Sequence, residues 1–206
     1  MARTKASHRP YFPLLGEPLA LDLVNTVVLH DDANLDLIRE SHRWGQWLDY
    51  QRPRLEPVLG SPITEQFRSR PALERVREFR GAVRVVVEAA RVVRAPGQQP
   101  DAARAHAVLA HAAGSAASST TSMAPLDVYL PVSEVDAEAL LGAFAVATLE
   151  LVTSTEAWAI RECQAPGCGL LFMPRHPSRR WCSAWACGNR TRAARYYQQR
   201  RVPPLP

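Results

Sequence analysis

Cys163, Cys168, Cys182 and Cys187 are the only thiols in a chain of 206 residues. They form two C-x4-C pairs separated by thirteen residues. Four thiolates are the donor set of a tetrahedral structural zinc site, with Zn–S bonds of about 2.3 Å. A closed shell of four sulfurs leaves no position for a reactive water, so the expected metal is one structural Zn2+ rather than a catalytic one. An iron–sulfur cluster uses the same donors, but the spacing does not follow the ferredoxin runs. The plainest alternative is two pairs of reduced thiols with no metal; structural disulfides are not expected in a cytosolic chain. His176 lies between the pairs and is expected in a solvent-exposed turn rather than among the ligands.

The surrounding residues must bring these sulfurs together. Pro166-Gly167 predicts a tight turn inside the first pair. GLLFMP, RHPS and RRWCS read as outgoing strand, turn and returning strand, and TRAARYYQQRR reads as a helix leaving the last ligand. Knuckle, hairpin and helix together predict a treble-clef-like zinc finger over 157–206. Charge is divided unevenly along the chain. Residues 157–206 hold nine arginines and one acid, Glu162, whereas residues 1–156 hold 16 basic and 19 acidic residues. Lys5 is the only lysine, so arginine richness by itself reflects composition, but its concentration here points to an acidic polymer. On a helical wheel Ala186, Arg190, Ala193 and Tyr197 share an inward stripe, and Arg192, Arg195 and Gln199 face outward. With Arg179 and Arg180 from the hairpin, the outward set forms a basic surface suited to phosphates or guanine edges; the alternative is a merely solvated face. Asn189 and Arg190 are either structural ties of the ligand loops or nucleic-acid contacts. Trp181, Trp185, Tyr196 and Tyr197 suit either the finger's own small core or stacking on unpaired bases, with Trp181 packing over the metal.

The ordered set Cys163, Cys168-Gly169, Phe172, RRWCS at 179–183, CGNR at 187–190 and Tyr196-Tyr197 resembles the CGNR zinc finger. That finger follows an N-terminal ABATE domain in bacterial proteins described as stress-induced transcription regulators. PLALDLVNTV and WGQWL are similar to the upstream pattern of that family; the stretch 95–130 offers no match. The resemblance implies a bacterial, cytoplasmic, zinc-containing regulator that binds DNA, and no enzymatic activity.

Upstream of the finger, residues 1–156 read as a mostly helical body. Helices are expected over 17–30, over 40–52 with Pro53 and Pro57 ending it, over 71–94, over 101–114 with Gly114 as its stop, and over 133–158. The 71–94 helix carries a stripe of Leu73, Val76, Phe79, Val83, Val86 and Ala90. A β-hairpin is expected over 115–133. The fold class is thus mainly α with a small β-hairpin (α+β). His30, Asp31, Asp32 and Asp36 offer acid–base or metal chemistry, though a polar loop explains them more simply. His106 and His111 do not share a helix face. No P-loop, nucleophile elbow or dinucleotide fingerprint occurs. The longest nearly apolar run, 139–149, is short of the roughly 20 residues of a membrane span, and no secretory signal is recognisable, so a cytoplasmic location is expected. A small-molecule effector between the body helices and a homodimer are compatible with the pattern. RNA binding and a zinc-stabilised protein-interaction module without nucleic acid are the competing functions.

Overall fold

A computed structural model describes residues 12, 16–30, 33–92, 102–117 and 132–201. The expected hairpin at 115–133 lies largely outside these residues, and its two described ends are helical. The element order is α1 (Leu19–Val24), β1 (Val27–His30), β2 (Ala33–Asp36), α2 (Ser41–Leu59), α3 (Arg70–Val92), α4 (Ala102–Ala117), α5 (Val132–Thr153), a 3-10 turn (Ala157–Ala159), β3 (Arg161–Glu162), β4 (Leu171–Phe172), a π-helical turn (Ala184–Gly188) and α6 (Asn189–Arg201). The body is a helical bundle in which α3 packs most extensively on α5. The α3 stripe is buried as its periodicity requires: Leu73, Val76, Phe79, Val83, Val86 and Ala90 all lie in the core. Trp44 and Trp47 of α2 stack at 5.5 Å and Trp47 meets Phe144 of α5 at 5.9 Å.

Four helices differ from expectation: α5 ends at Thr153 rather than at 158, and three others differ for identifiable reasons. The first ends after six residues, because Asn25 and Thr26 turn the chain into the β-branched run of β1. β1 pairs antiparallel with β2, Val27 opposite Asp36 and His30 opposite Ala33. Helix α2 runs through Pro53 and Pro57 and stops at Gly60, whose φ of 67° and N–H bond to the Glu56 carbonyl form a left-handed cap. The two prolines lie four apart on the exposed face, where the carbonyls they leave unpaired are open to solvent. Helix α4 continues through Gly114 to Ala117. Within α3, by contrast, the interior carries Gly81 where alanine is about 1 kcal/mol more favourable.

Buried polar groups tie the elements that carry the C-terminal region. Asp22, its side chain wholly buried, accepts hydrogen bonds from the Gly16 and Glu17 N–H groups, Gln51 and Arg54 (2.7 Å). Burial pushes its carboxyl above the ordinary range, and Gln51, the Gly16 N–H and Arg54 pull against that rise. These bonds fix the turn bearing Glu17. Asp36 is taken up by ion pairs: it binds Arg77 at 2.7 Å and Arg80 at 2.7 and 3.0 Å, and Arg80 also donates to Thr26. Burial works to raise the Asp36 carboxyl, but Arg80 and then Arg77 outweigh it, and the net shift is below the ordinary 3.8. Because the folded value is depressed, this stability is complete above the unfolded value and is lost as pH falls through the folded one. Asp36→Asn leaves the Arg80 guanidinium buried beside a neutral partner and is expected to cost about 3 kcal/mol at pH 7. Urea midpoints measured from pH 2 to 7 should show the gap between variant and parent closing as pH drops below 3.8.

Candidate metal centre and nucleic-acid interface

The four sulfurs are brought together by three short devices. Pro166 and Gly167 turn the chain, with Gly167 at φ 66° and the Cys168 N–H bonded to the Ala165 carbonyl at 3.1 Å. The Cys163 N–H is held by the Leu170 carbonyl at 2.9 Å, next to the β3–β4 pair. The π-helical turn closes with Gly188 N–H to Ser183 carbonyl at 2.9 Å and swings Cys187 toward Cys182. β4 pairs with β3 across the first knuckle, Arg161 opposite Phe172, and not with the RRWCS segment as expected. That segment is instead held by one main-chain bond, Gln164 N–H to the Arg180 carbonyl at 3.0 Å, and by Arg161, which reaches the Arg179 carbonyl and that of Pro177 just before it.

All four ligand atoms lie within 4.8 Å of one another, and no other such group of His, Cys, Asp or Glu occurs among the described residues. Sulfur–sulfur separations are 3.8 Å for Cys168–Cys182, 3.6 Å for Cys182–Cys187 and 3.6 Å for Cys187–Cys168. A tetrahedron with 2.3 Å bonds has edges of about 3.8 Å, so one zinc-sized ion fits the cage. Bridging sulfides of an iron–sulfur core would need the thiolates further apart. The thiols are unpaired as disulfides and, apart from half-buried Cys168, are buried. Their electrostatics also ask for a cation. Cys163 ionises most readily, down to about 2, because the Cys168 and Cys182 thiols donate to its thiolate. Hydrogen bonding to that thiolate pushes Cys168 up to about 12, and Cys182 is raised further by Cys163 and Cys168 together. Only a multiply charged cation lets all four carry charge at once.

Arg190 donates to the Pro166 carbonyl at 3.1 Å and approaches the Cys187 sulfur at 3.7 Å. Asn189 accepts a hydrogen bond from Arg192, which also reaches the Ala184 carbonyl at 3.2 Å and sits 6.0 Å from the Trp181 ring. Arg179 has surroundings unlike those expected for a nucleic-acid contact. Its guanidinium is occupied by the Met173, Trp181 and Cys182 carbonyls and the Glu17 carboxylate, and lies 4.4 Å over the Phe172 ring. Arg180, Arg195 and Gln199 are exposed, and none has a side-chain hydrogen bond or ion pair with a described residue. The inward stripe drawn for α6 is not buried: Arg190 and Ala193 are exposed and Tyr197 is 66% exposed, and its neighbour Tyr196 is 48% exposed. Tyr196 and Tyr197 meet edge to face at 5.7 Å, with Arg200 over Tyr196 at 4.4 Å. Beyond its first turn the helix has no described core to face, and the tyrosines are therefore not the finger's own packing. Trp181 is: it lies against the cluster formed by the cysteines, Leu170 and Phe172. Of the carboxylate–histidine stretch, Asp31 and Asp32 lie outside the described residues and Asp36 is paired; His106 and His111 are exposed on α4.

Two residues that the sequence reading passed over join finger to body. Asn25 donates to the Leu171 carbonyl at 2.7 Å and accepts from the Leu171 N–H at 2.9 Å, mimicking a strand partner. Glu17 accepts the Met173 N–H at 2.8 Å and pairs with Arg179. Strand alternation then divides β4 between two cores: Leu171 enters that of the body, and Phe172 that of the cysteines. The only sequence signal was an asparagine placed directly after an apolar helix, in the run LVNTV.

No curated protein matches the chain. Residues 159–200 match the model of the CGNR zinc finger. Residues 17–155 match the ABATE model, described as "Putative stress-induced transcription regulator". With two thirds of its length under that model and the four-cysteine cage behind it, the chain belongs to the ABATE family and carries a CGNR zinc finger at its C-terminal side.

Proposed function

We propose that the chain is a DNA-binding transcription regulator in which Cys163, Cys168, Cys182 and Cys187 hold one structural zinc. The ion would supply no chemistry beyond cross-linking the knuckle, the π-helical turn and the start of α6. The observation that carries this reading is α6 itself: a thirteen-residue helix with five arginines and no acid, anchored at its N-terminal end on the cysteine cage. Arg195 and Gln199 on the helix and Arg180 on the preceding loop are the proposed polymer contacts. Asn189, Arg190 and Arg179 are proposed to be ties of the scaffold, with Arg192 shared between scaffold and polymer. Nothing in this arrangement calls for catalysis.

Anisotropy titrations of random duplex DNA at several salt concentrations test the reading. Affinity should fall steeply with salt, because bound phosphates release counterions. Arg180→Ala with Arg195→Ala should keep zinc at one per chain and lower the log–log salt slope by about 2, one for each phosphate no longer neutralised. Salt-independent or absent binding by the zinc-loaded parent would sink the proposal. The exposed Tyr196–Tyr197 pair supports a second reading, in which unpaired bases stack on it. Tighter binding of single-stranded RNA than of duplex DNA, abolished in Tyr197→Ala, would favour that one.

A further inference from the structure

Gly81 has no structural reason to be glycine. It lies inside α3, the longest helix, its φ is not positive, and a Cβ built on it meets no atom within 4 Å. Glycine is the least helix-favouring residue short of proline, and at this position it leaves the α3 backbone uncovered toward the space above it. The space above it is a cleft of about 480 Å³ between α3, the β1–β2 hairpin and the finger, within the size range of small-ligand sites. Arg77 and Arg84 flank Gly81 at i−4 and i+3 on the same helix face. Arg77 uses its Nε on Asp36, and neither of its terminal nitrogens has a hydrogen-bond partner among the described residues. Among the described residues Arg84 makes only a 3.4 Å contact, to Glu88. The opposite wall is apolar, formed by Val24, Val27 and Leu29. Around the cleft the guanidiniums of Arg77, Arg80, Arg84 and Arg91 face the carboxylates of Asp36, Glu88 and Glu162, which leaves one positive charge among the described groups.

From these features we infer that the cleft is the binding site of a small organic monocarboxylate with a hydrocarbon body. The carboxylate takes the open N–H groups of Arg77 and Arg84, and the hydrocarbon passes over Gly81 onto the valines and Leu29. Gly169 of the finger closes one side, so an occupant touches both the body and the segment between the first cysteine pair and β4. The site does not depend on which polymer the finger holds.

Calorimetric titration of the zinc-loaded full chain with sodium benzoate and sodium hexanoate, in a carboxylate-free buffer, tests it. Saturable binding near one per chain is expected for at least one of them. Gly81→Leu fills the cleft, meets no protein atom at its Cβ and suits a helix better than glycine. It should weaken binding by about tenfold or more while thermal stability is kept, and Arg84→Gln should weaken it similarly. No saturation with either carboxylate overturns the proposal. So does undiminished binding in a folded Gly81→Leu chain, or equal affinity for benzyl alcohol or inorganic phosphate. Nucleic-acid binding is read in a separate assay, so either proposal can fail alone.

Discussion

Cys182→Ser should abolish metal binding and unfold the segment from β3 to the start of α6. Cys182 is the hub of the cage: it lies 3.8 Å from Cys168 and 3.6 Å from Cys187, and its own N–H points to the Cys163 sulfur at 3.4 Å. The segment has little else to fold on, since its own cluster comprises the cysteines, Ala165, Leu170, Phe172 and flanking side chains. Structural zinc in small modules is worth on the order of 10 kcal/mol of folding free energy, more than such a cluster supplies. The loss should spread. Ile160 and Leu171 are fully buried members of the body core, and Leu171 is positioned by the finger's β-pairing. Metal analysis should give near zero zinc per chain, and hydrogen exchange should rise in α1 as well as in the finger. Zinc retained, or α1 protection unchanged, would show that the two cores fold independently. A chelator added to the parent chain should reproduce the same pattern.

Asn25→Ala should separate the two cores while leaving the metal in place. The carboxamide is 3% exposed and satisfies both backbone groups of Leu171. Alanine leaves a buried N–H and a buried C=O without partners, each worth about 1–3 kcal/mol, so a loss of about 4 kcal/mol is expected. Asn25→Asp should be nearly as damaging, since a carboxylate accepts the Leu171 N–H but repels its carbonyl oxygen. Urea unfolding with parallel zinc measurement distinguishes this variant from Cys182→Ser: stability falls and zinc stays. A change below about 1 kcal/mol, the worth of an ordinary hydrogen bond, would mean that water replaces the clamp.

The cysteine cage was readable because ligand chemistry fixes residue type and spacing jointly; no other arrangement of the chain's four thiols competes. The α3 helix was readable because Leu73 to Ala90 repeat at helical intervals on one side only. What failed did so where a local rule met a tertiary circumstance. Pro53 and Pro57 predict a helix end, but on a solvent-facing stripe their missing bonds are cheap. The run EPLALDLVNTVVLH carries apolar residues in both halves with no clear period, so the pattern alone cannot separate the helix in its first half from the strand in its second. Arg179 looked like its neighbour Arg180, yet one is enclosed by carbonyls and Glu17 while the other is exposed. That difference lies in the path of a loop, which short motifs do not encode. Tyr197 of α6 was placed on an inward stripe because a helix usually has something to face.

The clamp at Asn25 joins residues 146 positions apart. A ribosome adding about 5–20 residues per second leaves α1 waiting on the order of ten seconds for Leu171. During that interval Asn25 and Glu17 have no finger to bind, and the apolar slot for Leu171 stays open. The N-terminal helix is therefore finished last although it is made first. Synthesis, metal loading and completion of the body become one event, and a chain that stalls or misses its zinc presents an unfinished N-terminal helix to proteases.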